Sequence, residues 1–172
     1  MAAPLIVNVI ELLRRPGTVK DVESTVEVED FDFNDDRIVD DPIEVVIHLE
    51  SLSNGIAVSG RARARWHGEC RRCLEPVSER MEVPFDELYQ TTLEDPDAWQ
   101  ISGDQINLLP MVRENILLSI PLGPLCRPDC PGFCPVCGAD LSQTSCDCDR
   151  TPTNDRWAAL DQLKGLLPDD ET

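Results

Sequence analysis

The chain has 172 residues, enough for one domain or for one domain with a small lobe, and it can bury a sizeable core. Apolar residues make up 41% of it but aromatic residues only 5%, so we expect an aliphatic core. The formal net charge of −18 predicts long-range repulsion of nucleic acid and attraction of basic partners. The start of the chain lacks the basic region of a secretory signal, and the apolar stretch 116–122 is too short to span a bilayer, so we expect a cytoplasmic protein.

The first forty residues are weakly patterned. The apolar run 5–10 predicts a strand, and residues 11–15 predict a short helix that ends before Pro16 and the following glycine. Between residues 21 and 41, spaced valines predict another strand, and the aspartates that follow predict exposed turns.

Residues 43–66 carry the clearest local pattern. Asn54-Gly55 predicts a hairpin with a two-residue type I′ turn, in which Ser53 pairs with Ile56. A slip of one residue would turn the arginines of the second strand into the core, which favours this register. The predicted pairs are Ile43 with Trp66, Val45 with Ala64, Ile47 with Ala62 and Leu49 with Gly60 on an apolar face, and Glu44 with Arg65, Val46 with Arg63 and His48 with Arg61 on a polar face.

The remainder of the chain predicts one more strand and one main helix. Residues 75–88 predict a third antiparallel strand, and residues 94–100 a loop. Apolar residues recur at helical spacing over 107–120, where Pro110 fits the first turn and Asn107 is a candidate cap.

Eight cysteines fall into four closely spaced pairs. Cysteines two or three residues apart can turn their sulfurs toward one ion, and four thiolates form a closed tetrahedral Zn²⁺ site. A reducing compartment favours metal binding over disulfides, and four cysteines leave no open coordination position for catalysis. We therefore predict two structural zinc ions. The ligands are Cys70 and Cys73, Cys126 and Cys130, Cys134 and Cys137, and Cys146 and Cys148.

Two arrangements of these pairs are open. The short gap between Cys137 and Cys146 favours one site from 134/137 and 146/148. The pair 126/130 then reaches back to 70/73 and joins the hairpin to the C-terminal part of the chain. In the alternative arrangement, 126/130 shares an ion with 134/137, and 70/73 shares one with 146/148.

The fold class that follows is α+β. An antiparallel sheet built on the hairpin 43–67 packs with the helix 107–120, and a cysteine-rich zinc lobe and a short C-terminal helix close the structure. We expect an α+β core domain over 1–125 that includes the C-R-R-C knuckle, a zinc-binding lobe over 126–150, and a short helix with an acidic tail over 151–172.

Four longer motifs stand in the second two thirds of the chain. They are E-C-R-R-C at 69–73, L-L-P-M-V-R-E-N-I-L-L-S-I-P at 108–121, P-L-C-R-P-D-C-P-G-F-C-P-V-C-G-A-D-L at 124–141 and D-R-W-A-A-L-D-Q-L at 155–163. With these motifs the chain resembles the YceD family of large ribosomal RNA subunit accumulation proteins. Some members of that family keep only the cysteines that match 70/73 and 126/130, which implies that these two pairs share an ion. The resemblance implies a role in ribosome biogenesis, in the accumulation of large-subunit (23S) ribosomal RNA.

One segment of the chain is basic, although the chain as a whole is strongly acidic. Residues 61–80 contain six arginines and three glutamates, a local net charge of 6 − 3 = +3. Alternation along a strand puts several of the basic residues on one face, and two more follow in the knuckle. We hypothesise that they contact phosphates of large-subunit rRNA or of a pre-ribosomal particle. The alternative is a solvated face with cross-strand ion pairs, such as Arg65 with Glu44. The candidate residues are Arg61, Arg63, Arg65, His67, Arg71 and Arg72.

A second hypothesis uses the acidic charge. A protein at −18 could bind a basic ribosomal protein, through the stretch Asp21–Asp41 or the tail Asp169–Glu171, although acidity could also serve solubility alone. Both histidines lie on the predicted hairpin, and we find no nucleophile motif, phosphate loop or pair of carboxylates suited to catalysis. We therefore predict no enzyme, no small-molecule substrate and no membrane partner.

Overall fold

A five-stranded sheet lies at the centre of the protein. The computed structural model describes residues 5–149. Its elements are β1 (Ile6–Asn8), α1 (Ile10–Arg14), β2 (Val19–Val26), α2 (Val28–Phe31), β3 (Ile43–Ser51), β4 (Ile56–Glu69), β5 (Pro76–Gln90), β6 (Trp99–Gln100), β7 (Gln105–Asn107) and α3 (Leu109–Ser119). The predicted α+β class, with a mainly antiparallel sheet, is confirmed. The predicted C-terminal helix lies outside the described residues, and the division into three segments stays a prediction.

The sheet has the strand order β2-β3-β4-β5-β6. Neighbouring strands run antiparallel except β6, which pairs parallel to the end of β5. The predicted third strand is therefore confirmed as β5, whereas the predicted loop 94–100 ends in the short strand β6. Strands β1 and β7 form a separate antiparallel pair. No helix within residues 5–149 has the length and apolar character needed to cross a membrane.

The predicted turn of the β3–β4 hairpin is wrong. Neither Asn54 nor Gly55 has the positive φ that a type I′ turn requires. Instead, Leu52 donates its N–H to the Gly55 carbonyl at 2.8 Å, so that Ser53 and Asn54 form the tip. The glycine is required for space, because a Cβ at position 55 would collide with the backbone oxygen of Tyr89 on β5. The contact with the third strand thus decides the turn.

The register of the hairpin is shifted by two residues from the prediction. Ile56 pairs with Ser51 rather than Ser53, and Glu44 faces Arg63 rather than Arg65. Because side chains alternate with a period of two, a shift of two residues leaves every side chain on its predicted face. The faces are therefore right, and the individual partners are wrong.

The core lies between the inner face of the sheet and α3. The alternate residues 43, 45, 47 and 49 of β3 are at most 1% exposed, and Met111, Val112 and Ile116 of α3 are fully buried beside them. Burial of each such aliphatic side chain stabilises the fold by about 1.5–3 kcal/mol. The Asn107 side chain accepts the N–H of Leu109 at 3.1 Å, but the N-cap residue is Leu108, so the predicted cap is wrong by one position. The proline falls in the first turn, as predicted.

Candidate metal centres and flanking surfaces

Four cysteines from two distant parts of the chain converge in what we call the long-range cluster. The Sγ atoms of Cys70, Cys73, Cys126 and Cys130 all lie within 4.8 Å of one another. The Sγ atoms of Cys70 and Cys130 are 3.8 Å apart, and those of Cys73 and Cys126 are 3.6 Å apart. The cluster joins the β4–β5 connection to the segment that follows α3. All its members except Cys126 are buried.

A small hydrophobic core surrounds the long-range cluster. Trp66 of β4 and Val77 of β5 are buried against its cysteines, and Leu125 packs at the margin. Trp66 lies on the apolar face of β4, as the sequence pattern predicts. Arg72 donates from its Nη1 to the Cys130 carbonyl at 2.7 Å, so this predicted RNA-contacting residue also joins the two halves of the cluster.

The other four cysteines form what we call the local cluster. The Sγ atoms of Cys134, Cys137, Cys146 and Cys148 lie within 4.8 Å of one another, and all four belong to one short segment. Only Cys134 is buried. The structure thus brings the cysteines together in the first of the two arrangements, and each cluster could hold a metal ion.

The two C-x-x-C knuckles have the same backbone hydrogen bonds. In each, the first cysteine donates its N–H to the carbonyl five residues later, and the residue after the second cysteine donates back to the first cysteine. That residue has a left-handed φ in both. The bonds are Cys70 to Glu75 at 2.8 Å and Leu74 to Cys70 at 2.9 Å in one knuckle, and Cys134 to Ala139 and Gly138 to Cys134, both at 2.8 Å, in the other. The left-handed residues are Leu74 (φ 62°) and Gly138 (φ 73°).

The environment of the sulfurs lowers the pKa of one thiol in each cluster, Cys70 in the long-range cluster and Cys134 in the local cluster. Backbone N–H groups of Cys137 and Val136 lower the pKa of Cys134 to about 6. Burial acts to raise the pKa of Cys70. Hydrogen bonds from backbone N–H groups, of which that of Cys126 has the largest effect, outweigh burial and lower the pKa to about 6. By contrast, the neighbouring Cys137 side chain and burial raise the pKa of Cys148 to about 12. Complete deprotonation of four sulfurs therefore needs a cation among them.

The three predicted arginines of β4 lie on one face of the strand, and each forms an ion pair. Arg61, Arg63 and Arg65 project outward from β4 with His67, and we call these four residues the arginine face. Arg61 and Arg63 both reach Glu82, at 3.8 and 2.8 Å. The other ion pairs are Arg63 with Glu44 at 3.4 Å and Arg65 with Asp41 at 2.8 Å. The predicted pair of Arg65 with Glu44 is therefore wrong, because the shifted register places Glu44 opposite Arg63.

The arginine face borders a concave pocket of about 740 Å³. Its charged lining consists of Arg63, Arg65, Arg80, Asp41, Glu44 and Glu82, whose formal charges cancel. Arg80 belongs to the basic window 61–80 but was not among the predicted RNA contacts, and it lies directly across from Arg65 on β5. Pairing residues outward from the C-R-R-C knuckle, which connects β4 to β5, would have placed Arg80 opposite Arg65.

A second groove, of about 420 Å³, lies between α3 and the β5–β6 edge. We call it the acidic groove. Its lining residues are Glu87, Asp97, Ala98, Trp99, Glu114, Asn115 and Leu118. No sequence pattern pointed to this groove, because it depends on the parallel pairing of β6 and on the side of the sheet that α3 covers.

Comparisons with known proteins agree on one family. The family model described as large ribosomal RNA subunit accumulation protein YceD matches residues 58–164. An uncharacterized protein of Mycobacterium tuberculosis is 31% identical over 100% of this chain and 86% of its own length. YlbN of Bacillus subtilis, also uncharacterized, is 26% identical over 96% of this chain and 98% of its own length.

A relative from Zea mays has a descriptive name. The large ribosomal RNA subunit accumulation protein YCED homolog 1, chloroplastic, is 39% identical over 73% of this chain and 54% of its own length. No solved structure matches the chain. The family model covers more than half of the sequence, so the chain belongs to the YceD family.

Proposed function

We propose that the protein is a non-catalytic cytoplasmic factor that supports the accumulation of large-subunit (23S) ribosomal RNA. Membership of the YceD family and the name of the maize relative support this role. The observation that carries the non-catalytic part is that all eight cysteines lie in two four-sulfur clusters, which leave a bound ion no open position. Depletion of the protein should lower the ratio of 23S to 16S rRNA, and an unchanged ratio would refute the role.

We further propose that each cluster holds one structural zinc ion. Sulfurs about 2.3 Å from a central Zn²⁺ form a tetrahedron with edges of about 3.8 Å. The separations of 3.8 and 3.6 Å in the long-range cluster fit such a tetrahedron. Backbone N–H groups directed at Cys70 and Cys134 also suit thiolate ligands. Metal analysis of the purified protein should find about two zinc ions per chain.

The arginine face is the proposed RNA contact. Its arginines are each at least 42% exposed, and exposed ion pairs contribute less than about 1 kcal/mol. RNA phosphates can therefore replace Asp41, Glu44 and Glu82 as partners of the guanidinium groups. Arg71 and Arg72 in the knuckle that follows β4 are further proposed contacts, and both are exposed.

The ion pairs allow a test in both directions. Replacement of Arg61, Arg63 and Arg65 by Gln should weaken binding to a large-subunit rRNA transcript. The slope of log affinity against log salt concentration should become shallower, by the amount expected for the loss of about two to three phosphate contacts. Amides in place of Asp41, Glu44 and Glu82 remove the competing carboxylates and should strengthen binding. We would measure both by filter binding at several salt concentrations.

A matched control separates the local contact from the net charge. Amides in place of Glu11, Glu94 and Asp104, which are exposed and belong neither to the arginine face nor to the lining of its pocket, change the net charge by the same +3. If this control strengthens RNA binding as much as the amides beside the arginines do, only the overall charge matters. The arginine face would then not be the contact.

A second candidate function is the escort of a basic ribosomal protein. It is supported by the net charge of −18 and by the acidic stretch 21–41, where Glu23, Glu29 and Asp30 are exposed. The tail residues 169–171 lie outside the described residues. Amide substitutions in 21–41, together with removal of the tail, should weaken binding to purified large-subunit ribosomal proteins. Unchanged binding would leave solubility as the role of the acidity.

A further inference from the structure

The acidic groove combines carboxylates with exposed apolar surface. Trp99 of β6 and Leu118 of α3 provide the apolar part, and Leu118 is 78% exposed. Glu87, Asp97 and Glu114 provide three negative charges around it. Lysine and arginine side chains have an apolar stem and a cationic end, so this combination matches their chemistry.

The wall of the groove is held in place before any partner binds. The buried side chain of Gln90 accepts the N–H groups of Glu94 and Asp95 at 3.0 and 3.1 Å. Asp95 in turn accepts the N–H of Asp97 at 3.0 Å, which fixes the loop that carries this carboxylate. A preformed wall avoids the entropy cost of ordering the loop on binding.

The floor of the groove is equally fixed. The two carboxylate oxygens of Glu87 accept hydrogen bonds from Asn115 Nδ2 at 3.0 Å and from Trp99 Nε1 at 3.2 Å. Both donors are neutral, so they orient the carboxylate without cancelling its charge.

The two concave surfaces differ in how their charges are balanced. On the arginine face each guanidinium lies within 4 Å of a carboxylate. Within residues 5–149, neither Glu87, Asp97 nor Glu114 forms an ion pair. The carboxylates of the acidic groove therefore lack cationic partners within residues 5–149, whereas the guanidinium groups of the arginine face are already paired with carboxylates.

We propose that the acidic groove binds a basic polypeptide segment, with a lysine or arginine side chain lying along Trp99 and Leu118 and its cation directed at Glu87, Asp97 and Glu114. This inference rests on the second candidate function and names the surface that it would use. The apolar stem packs on the indole and leucine side chains, and the cation replaces its hydration with carboxylate contacts. An RNA strand is disfavoured, because its phosphates would meet three negative charges.

The test uses a fluorescein-labelled peptide of alternating arginine, lysine and leucine residues and the full chain. Asp97→Asn with Glu114→Gln should weaken binding about tenfold in fluorescence anisotropy at about 0.15 M salt. The control pair Glu75→Gln with Glu79→Gln changes the net charge equally and lies at the opposite end of β5 from Glu87, so it should weaken binding less than about twofold. Equal losses in the two variants would mean general attraction to an acidic protein and would overturn the proposal.

The apolar part of the groove needs its own measurement. Leu118→Ser should lower the affinity several-fold even at about 0.5 M salt, where charge attraction is screened. Val19→Ser, at a residue that is 53% exposed on the edge strand β2, should leave the affinity unchanged. The proposal would be overturned if Leu118→Ser left peptide binding unchanged. It would also be overturned if a groove variant lost binding to an rRNA transcript but kept binding to the peptide. The peptide assay contains no ribosomal component, so it decides on the groove even if the ribosomal role is wrong.

Discussion

The two cysteine knuckles have the same backbone and very different surroundings. Cys70 and Cys134 each begin a turn with the same two hydrogen bonds, within 0.1 Å. The first knuckle connects two long strands, lies beside the buried Trp66 and completes its cluster with cysteines more than fifty residues away. The second lies in an irregular segment and completes its cluster within that segment.

This difference teaches that the spacing of cysteines determines the turn but not its role in the fold. Closing a long loop removes more conformational freedom from the unfolded chain than closing a short one. The long-range cluster also carries its own buried side chains, whereas the local cluster is mostly exposed. We therefore expect the same chemical change to have unequal effects at the two knuckles.

Loss of a ligand in the long-range cluster should have the largest effect. Cys70→Ser removes a buried ligand, and structural Zn²⁺ can contribute on the order of 10 kcal/mol to folding. We expect the free energy of unfolding to fall by several kcal/mol and the zinc content to fall from about two ions per chain to about one. Urea unfolding and metal analysis measure these quantities. Unchanged stability would show that the core folds without this cluster.

Loss of a ligand in the local cluster should have a smaller effect on the core. Cys134→Ser should also release about one zinc ion. The sheet and α3 do not depend on residues 134–148 for their contacts, so the main unfolding transition followed by circular dichroism should shift by less than about 1 kcal/mol. If Cys134→Ser destabilises the sheet as much as Cys70→Ser does, the two clusters are energetically equivalent and the comparison fails.

A glycine at the junction of the knuckles offers a finer test. Gly132 has φ +65°, and a Cβ there would lie 2.7 Å from the Arg72 carbonyl oxygen. Gly132→Ala should cost about 2–4 kcal/mol, from the left-handed backbone and from the collision. Gly138→Ala is the matched control, since φ is +73° but nothing lies within 4 Å of the added carbon. It should cost only about 1 kcal/mol, and equal costs in thermal unfolding would exclude the collision.

The smallest expected effect is a gain in stability. Leu74 has a left-handed φ of 62° and is 60% exposed, so it is strained and buries little surface. Leu74→Gly converts the first knuckle to the form of the second and should raise the free energy of unfolding by about 1 kcal/mol. Leu93→Gly, at a similarly exposed residue without positive φ, should give no gain. A loss at position 74 would mean that packing of the leucine side chain stabilises the fold by more than its left-handed backbone costs.

Local patterns predicted much of the fold. Alternation over 43–66 identified the two faces of the hairpin, and helical spacing identified α3 to within two residues at its start and one at its end. The turn predicted from Asn54-Gly55 was wrong, because the glycine serves the close approach of the Tyr89 carbonyl on a third strand and not a positive φ. The helix α2, which lies in an acidic stretch without helical periodicity, was also missed.

The sequence by itself determined the features that depend on near neighbours along the chain. These are the C-x-x-C knuckles, the outward direction of Arg61, Arg63 and Arg65, and the candidate cysteine ligands. Tertiary structure alone decided which carboxylate each arginine meets, that Cys126 and Cys130 meet Cys70, and that Glu87, Asp97 and Glu114 line one groove. The reason is that residue periodicity specifies a face, whereas a specific partner depends on strand register and on the packing of distant segments.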